Sequence, residues 1–208
     1  IIANGDDEYS DYFLSFWAET KLAFSRETEP APDEAVEVVG YSGVQTTGSG
    51  LSFDCRGRHL RLRLLGDFNA ANVMAAYSAG YSLQLPADDM ARALGRIEGV
   101  PGRLEKIDAG QPFTVVVDYA FEPNAVSKLY QTVANIPHQR IIHVLGSTGG
   151  GRDVARRPEL GELAGQNADI AIITNEDPYD DDPEIIIDQV SLGAEKAGKK
   201  LDRNLFKI

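Results

Sequence analysis

The sequence predicts an α/β fold whose second half is a mostly parallel, doubly wound, Rossmann-like sheet. Three observations predict it. Near-continuous apolar runs of strand length occur at residues 113–117, 140–145 and 169–174, the pattern of strands covered on both faces. Each is followed by a stretch with helical spacing, at 124–136, 159–167 and 183–197, and such alternation is what a parallel sheet packed against helices requires. The break Gly99-Val100-Pro101-Gly102, which no regular element tolerates well, separates this half from one of different character.

The first half reads in order as short β-prone runs at 12–17, 21–24, 36–41, 51–55 and 59–65. In the last, His59, Arg61 and Arg63 alternate with Leu60, Leu62 and Leu64, the period of a half-buried strand. Residues 27–34, with two prolines and four acidic residues, are expected as a surface loop. From Gly66 the pattern turns helical. Residues 69–83 suit a helix packed on several sides, and 86–97 a second helix with Asp88 and Asp89 in the first turn, where the helix dipole favours negative charge. The apolar stub before Asn4-Gly5-Asp6-Asp7 reads as the end of a buried strand entering a turn, and residues 200–208 as a further strand, so both ends have the look of cut ends. Two domains are expected, 1–102 and 103–208.

Composition narrows the function. A net charge of -12 argues against nucleic acid, because little here neutralises a row of phosphates. A few local arginines and backbone N–H groups still suffice for a small phosphorylated ligand. The single cysteine, Cys55, forms no internal disulfide, so a reducing, cytoplasmic setting is expected. No membrane span or signal peptide is expected either. His59, His138 and His143 are scattered and, with Cys55, lack metal-ligand spacing.

Ligands of parallel sheets bind beyond the carboxyl ends of the strands. Asp118-Tyr119, residues 146–152 and Asn175-Glu176-Asp177 follow the three apolar runs. The glycine-rich stretch 146–151 lets backbone approach a ligand, and Arg152 offers a fork for carboxylate or phosphate. Arg152, Arg156 and Arg157 concentrate positive charge; their plain reading is a solvated loop. Asp118 reads equally as a turn acid, and residues 102–105 as a linker or a hinge with a phosphate-binding Arg103. Asp180-Asp181-Asp182 is most simply the charged approach to the helix at Pro183, with attraction of an ammonium group as the minority reading. The glycine-rich loop with Glu176 also fits a nicotinamide-dependent oxidoreductase, although Gly-x-Gly-x-x-Gly is absent.

Five motifs in order go further: residues 66–72 (Gly-Asp-Phe-Asn-Ala-Ala-Asn), 99–105 (Gly-Val-Pro-Gly-Arg-Leu-Glu), 117–120 (Val-Asp-Tyr-Ala), 146–158, and Asp177-Pro178 with Asp182-Pro183. Together with the Asn-x-Asp-Asp turn at 4–7, they resemble the Mur ligase family, and within it the branch that adds the third residue of the peptidoglycan stem peptide. The resemblance is clear over residues 60–190. It implies the end of a Mur-type central ATP-binding domain followed by most of the domain that presents the incoming amino acid. ATP would phosphorylate the carboxylate of a UDP-N-acetylmuramyl dipeptide, and the amine of a free amino acid would attack the acyl phosphate. Mg2+ would assist, domain closure would exclude water, and the protein would be a cytoplasmic monomer. By position, Asn69 and Asn72 match residues contacting adenine. Arg103, Asp118 and Tyr119 match residues reaching the nucleotide. Arg152 matches the arginine on the amino acid's carboxylate, and Asp177, Pro178 and Tyr179 the segment that selects the amino acid. No catalytic or metal-ligating residue is assigned.

Three departures stand out. Phe121 occupies a position where the family usually has histidine, which keeps stacking and loses hydrogen bonding. Tyr179 occupies the place of an arginine carried by diaminopimelate-adding members; with Asp180 to Asp182 nearby, lysine or ornithine fits better by charge. The phosphate-binding loop and UDP-binding domain are not among the 208 residues, so this stretch alone is expected to be inactive. Folylpolyglutamate- and cyanophycin-type ligases are the nearest alternatives, and a non-catalytic nucleotide-binding module is another.

Overall fold

The alternating apolar positions of the first half build one five-stranded sheet. The structure, a computed structural model, describes residues 1–26 and 35–208; the surface loop expected at 27–34 lies outside the described residues. The chain divides into two compact units, residues 1–117 and 118–208. In the first, strands β1 (Ile2–Asn4), β2 (Lys21–Ser25), β3 (Val36–Thr47), β4 (Gly50–Cys55) and β5 (Arg58–Leu62) lie in sequence order. β1 to β3 pair in parallel and β3 to β5 antiparallel. Leu22, Phe24, Val39, Tyr41, Leu51, Phe53, Leu60 and Leu62 bury one face beneath helix α2 (Phe68–Ser82), which contributes Ala70, Val73, Met74 and Tyr77. Helix α3 (Ala87–Gly95) adds Met90 and Leu94 to that core, with Asp88 and Asp89 in its first turn. Cys55 is buried there, and burial pushes its thiol up to about 11, away from the reactive thiolate.

Two expectations change. Residues 12–17, read as a strand, instead follow a turn into helix α1 (Ser10–Leu14). The Asp7 carboxylate accepts from the Tyr9 N–H at 2.9 Å and the Asp7 carbonyl from the Ser10 N–H at 3.0 Å, which winds the chain into a helical turn. Only the Ser10 and Leu14 side of that helix is buried, while Tyr12, Phe13 and Trp17 stay exposed. The aromatic run therefore packs on no sheet. The second change concerns residues 113–117. They supply β7 (Val115–Val117), which pairs antiparallel with an unanticipated β6 (Glu105–Ile107). The Asp108 carboxylate accepts from the Gly110 N–H at 3.0 Å, and Gly110 takes φ +83°, a turn that folds β7 back on its immediate predecessor.

The second unit carries the parallel sheet. Its strands lie in the order β10 (Leu205–Lys207), β9 (Ile170–Ile173), β8 (Ile142–Leu145), all parallel. Helices α4 (Pro123–Val133), α5 (Arg156–Asn167) and α6 (Pro183–Lys196) follow the expected spacing. They pack on the face formed by Leu145, Ala171, Ile173 and Leu205. Across the sheet, Ile142 and Val144 remain 52% and 58% exposed, so the helices of this unit cover one face.

Bare backbone sets the contact between α5 and α6. A Cβ on Gly161 would lie 1.8 Å from the Val190 carbonyl oxygen, and one on Gly193 1.9 Å from that of Pro158. Gly161→Ala is expected to cost about 3 kcal/mol by forcing the helices apart. Gly99→Ala, where a Cβ meets nothing within 4 Å, should stay within about 0.5 kcal/mol of the parent, and urea unfolding of the two variants measures both.

Beneath α4, the Tyr130 hydroxyl and His143 Nδ1 share a hydrogen bond at 2.6 Å. Burial pushes the phenol up and the imidazole down to about 4. The unfolded imidazole binds its proton near the ordinary 6.5 and the folded one only near 4, so the unfolded state takes up protons first as pH falls. Stability is therefore expected to drop by about 3 kcal/mol between those values and then level off. Denaturant midpoints from pH 7 to pH 4 measure the drop, which should shrink by that amount in His143→Phe.

Candidate functional site

Two loops cross at the carboxyl ends of β8 and β9. The glycine-rich residues 146–155 leave β8, residues 174–182 leave β9, and the Gly149 N–H donates to the Asp177 carbonyl at 2.8 Å. The crossing needs bare backbone: a Cβ on Gly149 would sit 2.1 Å from the Pro178 carbonyl oxygen. Gly150, at φ +65°, lies against the Tyr179 ring. Tyr179 itself adopts φ +51°, a left-handed backbone that costs an aromatic residue about 1 kcal/mol or more. Its ring is 66% exposed. Thus Arg152, on the first loop, and Asp177, Pro178 and Tyr179, on the second, belong to one crossed pair of loops.

Arg157 holds the crossing from beneath. Its side chain is 4% exposed; Nη1 donates to Gln189 Oε1 at 2.7 Å, and Nη2 to Asp181 Oδ2 at 3.1 Å and the Thr148 carbonyl at 3.3 Å. One guanidinium thereby ties the glycine-rich loop, the second loop and α6 together. Its neighbour Arg156 is equally buried. Arg156 Nη1 donates to Glu122 Oε1 at 2.7 Å, and its Cζ lies 5.3 Å from the Phe121 ring centre. The solvated reading of the three arginines therefore holds only for Arg152, which is exposed and makes no ion pair among the described residues. Nothing in the pattern of residues 152–157 distinguishes the buried pair from a surface one, because burial follows from the start of α5 falling under two loops.

The acidic run separates in the same way. Asp181 pairs with Arg157, and Asp182 Oδ1 caps α6 by accepting from the Glu184 N–H at 2.9 Å. Asp180 alone is exposed with no polar partner among the described residues. Glu176 is half-buried, and burial raises its pKa, with Asp177 adding to the rise and Arg156 opposing it.

Of the nucleotide candidates, Asn69, Asn72 and Arg103 belong to the first unit and Asp118 and Tyr119 to the second. Asn69 Nδ2 donates to the Leu65 carbonyl at 2.6 Å and its Oδ1 accepts from Asn72 Nδ2 at 2.9 Å, so Asn69 orients Asn72 at the start of α2. Asn72 is exposed. Arg103 is exposed beside Gly102, whose φ is +68°. Asp118 is half-buried, and Tyr119, 59% exposed, sets its ring edge-on to Phe121 at 5.6 Å. Among the described residues, no three His, Cys, Asp or Glu side chains gather as a metal site. Among the described residues, no helix is long and apolar enough to cross a membrane.

Removing the latch should loosen the crossing. Arg157→Ala is expected to lower stability by about 2 kcal/mol and to speed hydrogen exchange of the Gly149 amide relative to the amides of β9.

Comparison with known proteins shows what the chain is similar to. Residues 102–204 match the family model described as Mur ligase, glutamate ligase domain. Over 204 residues the chain is 39% identical to a UDP-N-acetylmuramyl-tripeptide synthetase of Roseiflexus sp. (strain RS-1), covering 96% of this chain and 39% of that protein. It is 38% identical over 140 residues to a UDP-N-acetylmuramoyl-L-alanyl-D-glutamate–2,6-diaminopimelate ligase of Syntrophomonas wolfei, covering 67% of this chain and 28% of the relative. The chain thus spans well under half the length of these relatives. In fold it is similar to the UDP-N-acetylmuramate-alanine ligase of Thermotoga maritima, with a TM-score of 0.68 at 18% identity over 100% of this chain and 43% of that one.

Proposed function

Since the chain belongs to the Mur ligase family, we propose that it is part of a cytoplasmic, ATP-dependent ligase that adds the third amino acid to a UDP-N-acetylmuramyl dipeptide during peptidoglycan precursor synthesis. Residues 1–102 belong to the ATP-binding domain and residues 103–208 present the amino acid. The observation that carries this reading is the crossed pair of loops, which sets an exposed, unpaired arginine on one loop and an exposed aromatic ring on the other.

The chemistry follows from what a carboxylate lacks. Its oxygen is a poor leaving group, so the dipeptide carboxylate first takes the γ-phosphoryl group of ATP, releasing ADP. The amine then attacks the acyl carbon, the C–O bond to phosphate breaks, and the nitrogen loses a proton as the amide forms. Asn72 meets the adenine, held in place by Asn69, while Arg103, Asp118 and Tyr119 reach the nucleotide. Arg152 grips the amino acid's carboxylate as a planar fork. Asp177, Pro178 and Tyr179 surround its side chain. Tyr179 supplies no cation for a distal carboxylate, and the exposed Asp180 attracts a distal ammonium, so lysine or ornithine is preferred over diaminopimelate. Mg2+ would neutralise charge on the transferring phosphoryl group; none of these residues is assigned to it.

The test is phosphate release from ATP by these residues within a chain that also carries a Gly-Lys-Thr/Ser phosphate-binding loop. Release should require both UDP-muramyl dipeptide and one amino acid. Arg152→Ala should raise KM for that amino acid about tenfold or more, and Asp180→Asn should raise KM for lysine about threefold. Release without the dipeptide, or with diaminopimelate strongly preferred, contradicts the corresponding part of the proposal.

A further inference from the structure

Arg156 is a buried cation with two of its three guanidinium nitrogens unused. Glu122 takes Nη1, whereas no group among the described residues accepts from Nε or Nη2, and both atoms are buried. Those two nitrogens form the side-on edge of a guanidinium, the pair of parallel N–H bonds that matches two oxygens of a carboxylate or phosphoryl group. Leaving such donors unpaired in the interior costs about 1–3 kcal/mol or more for a charged group, a cost that native structures seldom carry without a purpose.

The surroundings point the same way. Ser147, 2% exposed and two residues beyond β8, also has a buried hydroxyl without a partner. Glu176, beyond β9, lies beside Gly146, where a Cβ would be 2.9 Å from that of Glu176, and it feels the Arg156 charge. Arg156 opens α5, whose N-cap Ala155 supplies no side-chain cap, so the positive end of a 12-residue helix faces the same strand ends. The Phe121 ring lies beside the guanidinium, its centre 5.3 Å from Cζ. As phenylalanine, the ring takes none of its hydrogen bonds. Phe121 and Glu176 are both only half-buried.

We propose that the Nε/Nη2 edge of Arg156, with the Ser147 hydroxyl, is a second oxyanion subsite, distinct from Arg152, that takes a phosphoryl or carboxylate group once Phe121 or Glu176 swings aside. The site is read from this chain's own unpaired donors and does not rest on the ligase reading. One internal competitor exists: the Glu176 carboxylate itself.

The test uses the 208-residue chain, labelled with nitrogen-15, and follows the arginine Nε–H signals during titration with sodium phosphate and, separately, sodium acetate at constant ionic strength. The Arg156 signal is identified by its loss in Arg156→Lys. It should shift saturably and exchange more slowly with phosphate or acetate, and the anion that does so at the lower concentration names the group. Amide shifts around residues 147 and 156 should show affinity falling about tenfold in Arg156→Lys, which keeps the charge and loses the fork. Ser147→Ala should weaken binding about threefold, and Glu176→Gln should tighten it. Should Arg156→Lys fail to fold, the Ser147 and Glu176 variants decide. Absence of saturation with both anions, or an Arg156 signal that moves only on Glu176→Gln, overturns the subsite. Saturation in a chain whose extended form shows no amino-acid-dependent phosphate release would leave the subsite standing and remove the ligase reading alone.

Discussion

A single buried guanidinium, that of Arg157, joins three elements that would otherwise be separate. Its bonds to Thr148, Asp181 and Gln189 bring the loop after β8, the loop after β9 and helix α6 to one point. Burying such a charge is unfavourable unless partners surround it, so the arrangement is close to all-or-none: the loops cross with their backbones in contact, or the charge is stranded. The glycines at 149 and 150 are the steric condition for this crossing, because any side chain at 149 would collide with the Pro178 carbonyl. The left-handed backbone of Tyr179 is held in place by the same contacts.

This constraint links fold to chemistry. On the proposed reading the loops hold an amino acid so that its amine meets an activated carboxyl group, and positioning of that kind lowers a barrier only if the holding groups are themselves fixed. Arg152 is exposed, whereas its neighbour five residues on is held beneath the loop through both of its terminal nitrogens. The acids divide in the same manner. Asp181 and Asp182 are spent on the latch and the helix cap, which leaves Asp180 facing solvent. The close approach of α5 and α6 through Gly161 and Gly193 supports the same edge from behind.

Much of this was legible in the sequence. Apolar runs at 140–145 and 169–174 marked β8 and β9, helical spacing marked α2 to α6, and the ordered motifs marked the family. Other features were not. Residues 12–17 have strand propensity, but the turn at Asp7 decides their backbone locally, and β propensity yields to such context. Residues 113–117 resemble a buried parallel strand, and apolar periodicity alone does not say which partner a strand takes. The turn at Asp108 to Gly110 sends β7 to β6. Arg156 and Arg157 read as loop charges because adjacent arginines at a helix start are usually solvated. Only the three-dimensional overlap of two loops reveals that both are buried and differently engaged.

The central claim is that the crossed loops present an amino acid. Titration of the nitrogen-15-labelled chain with lysine, ornithine and diaminopimelate, following backbone amides, tests it most directly. The account predicts saturable shifts confined to residues 146–153 and 177–181, appearing at lower concentration with lysine or ornithine. Shifts centred elsewhere, or none with any of the three at high concentration, would contradict it.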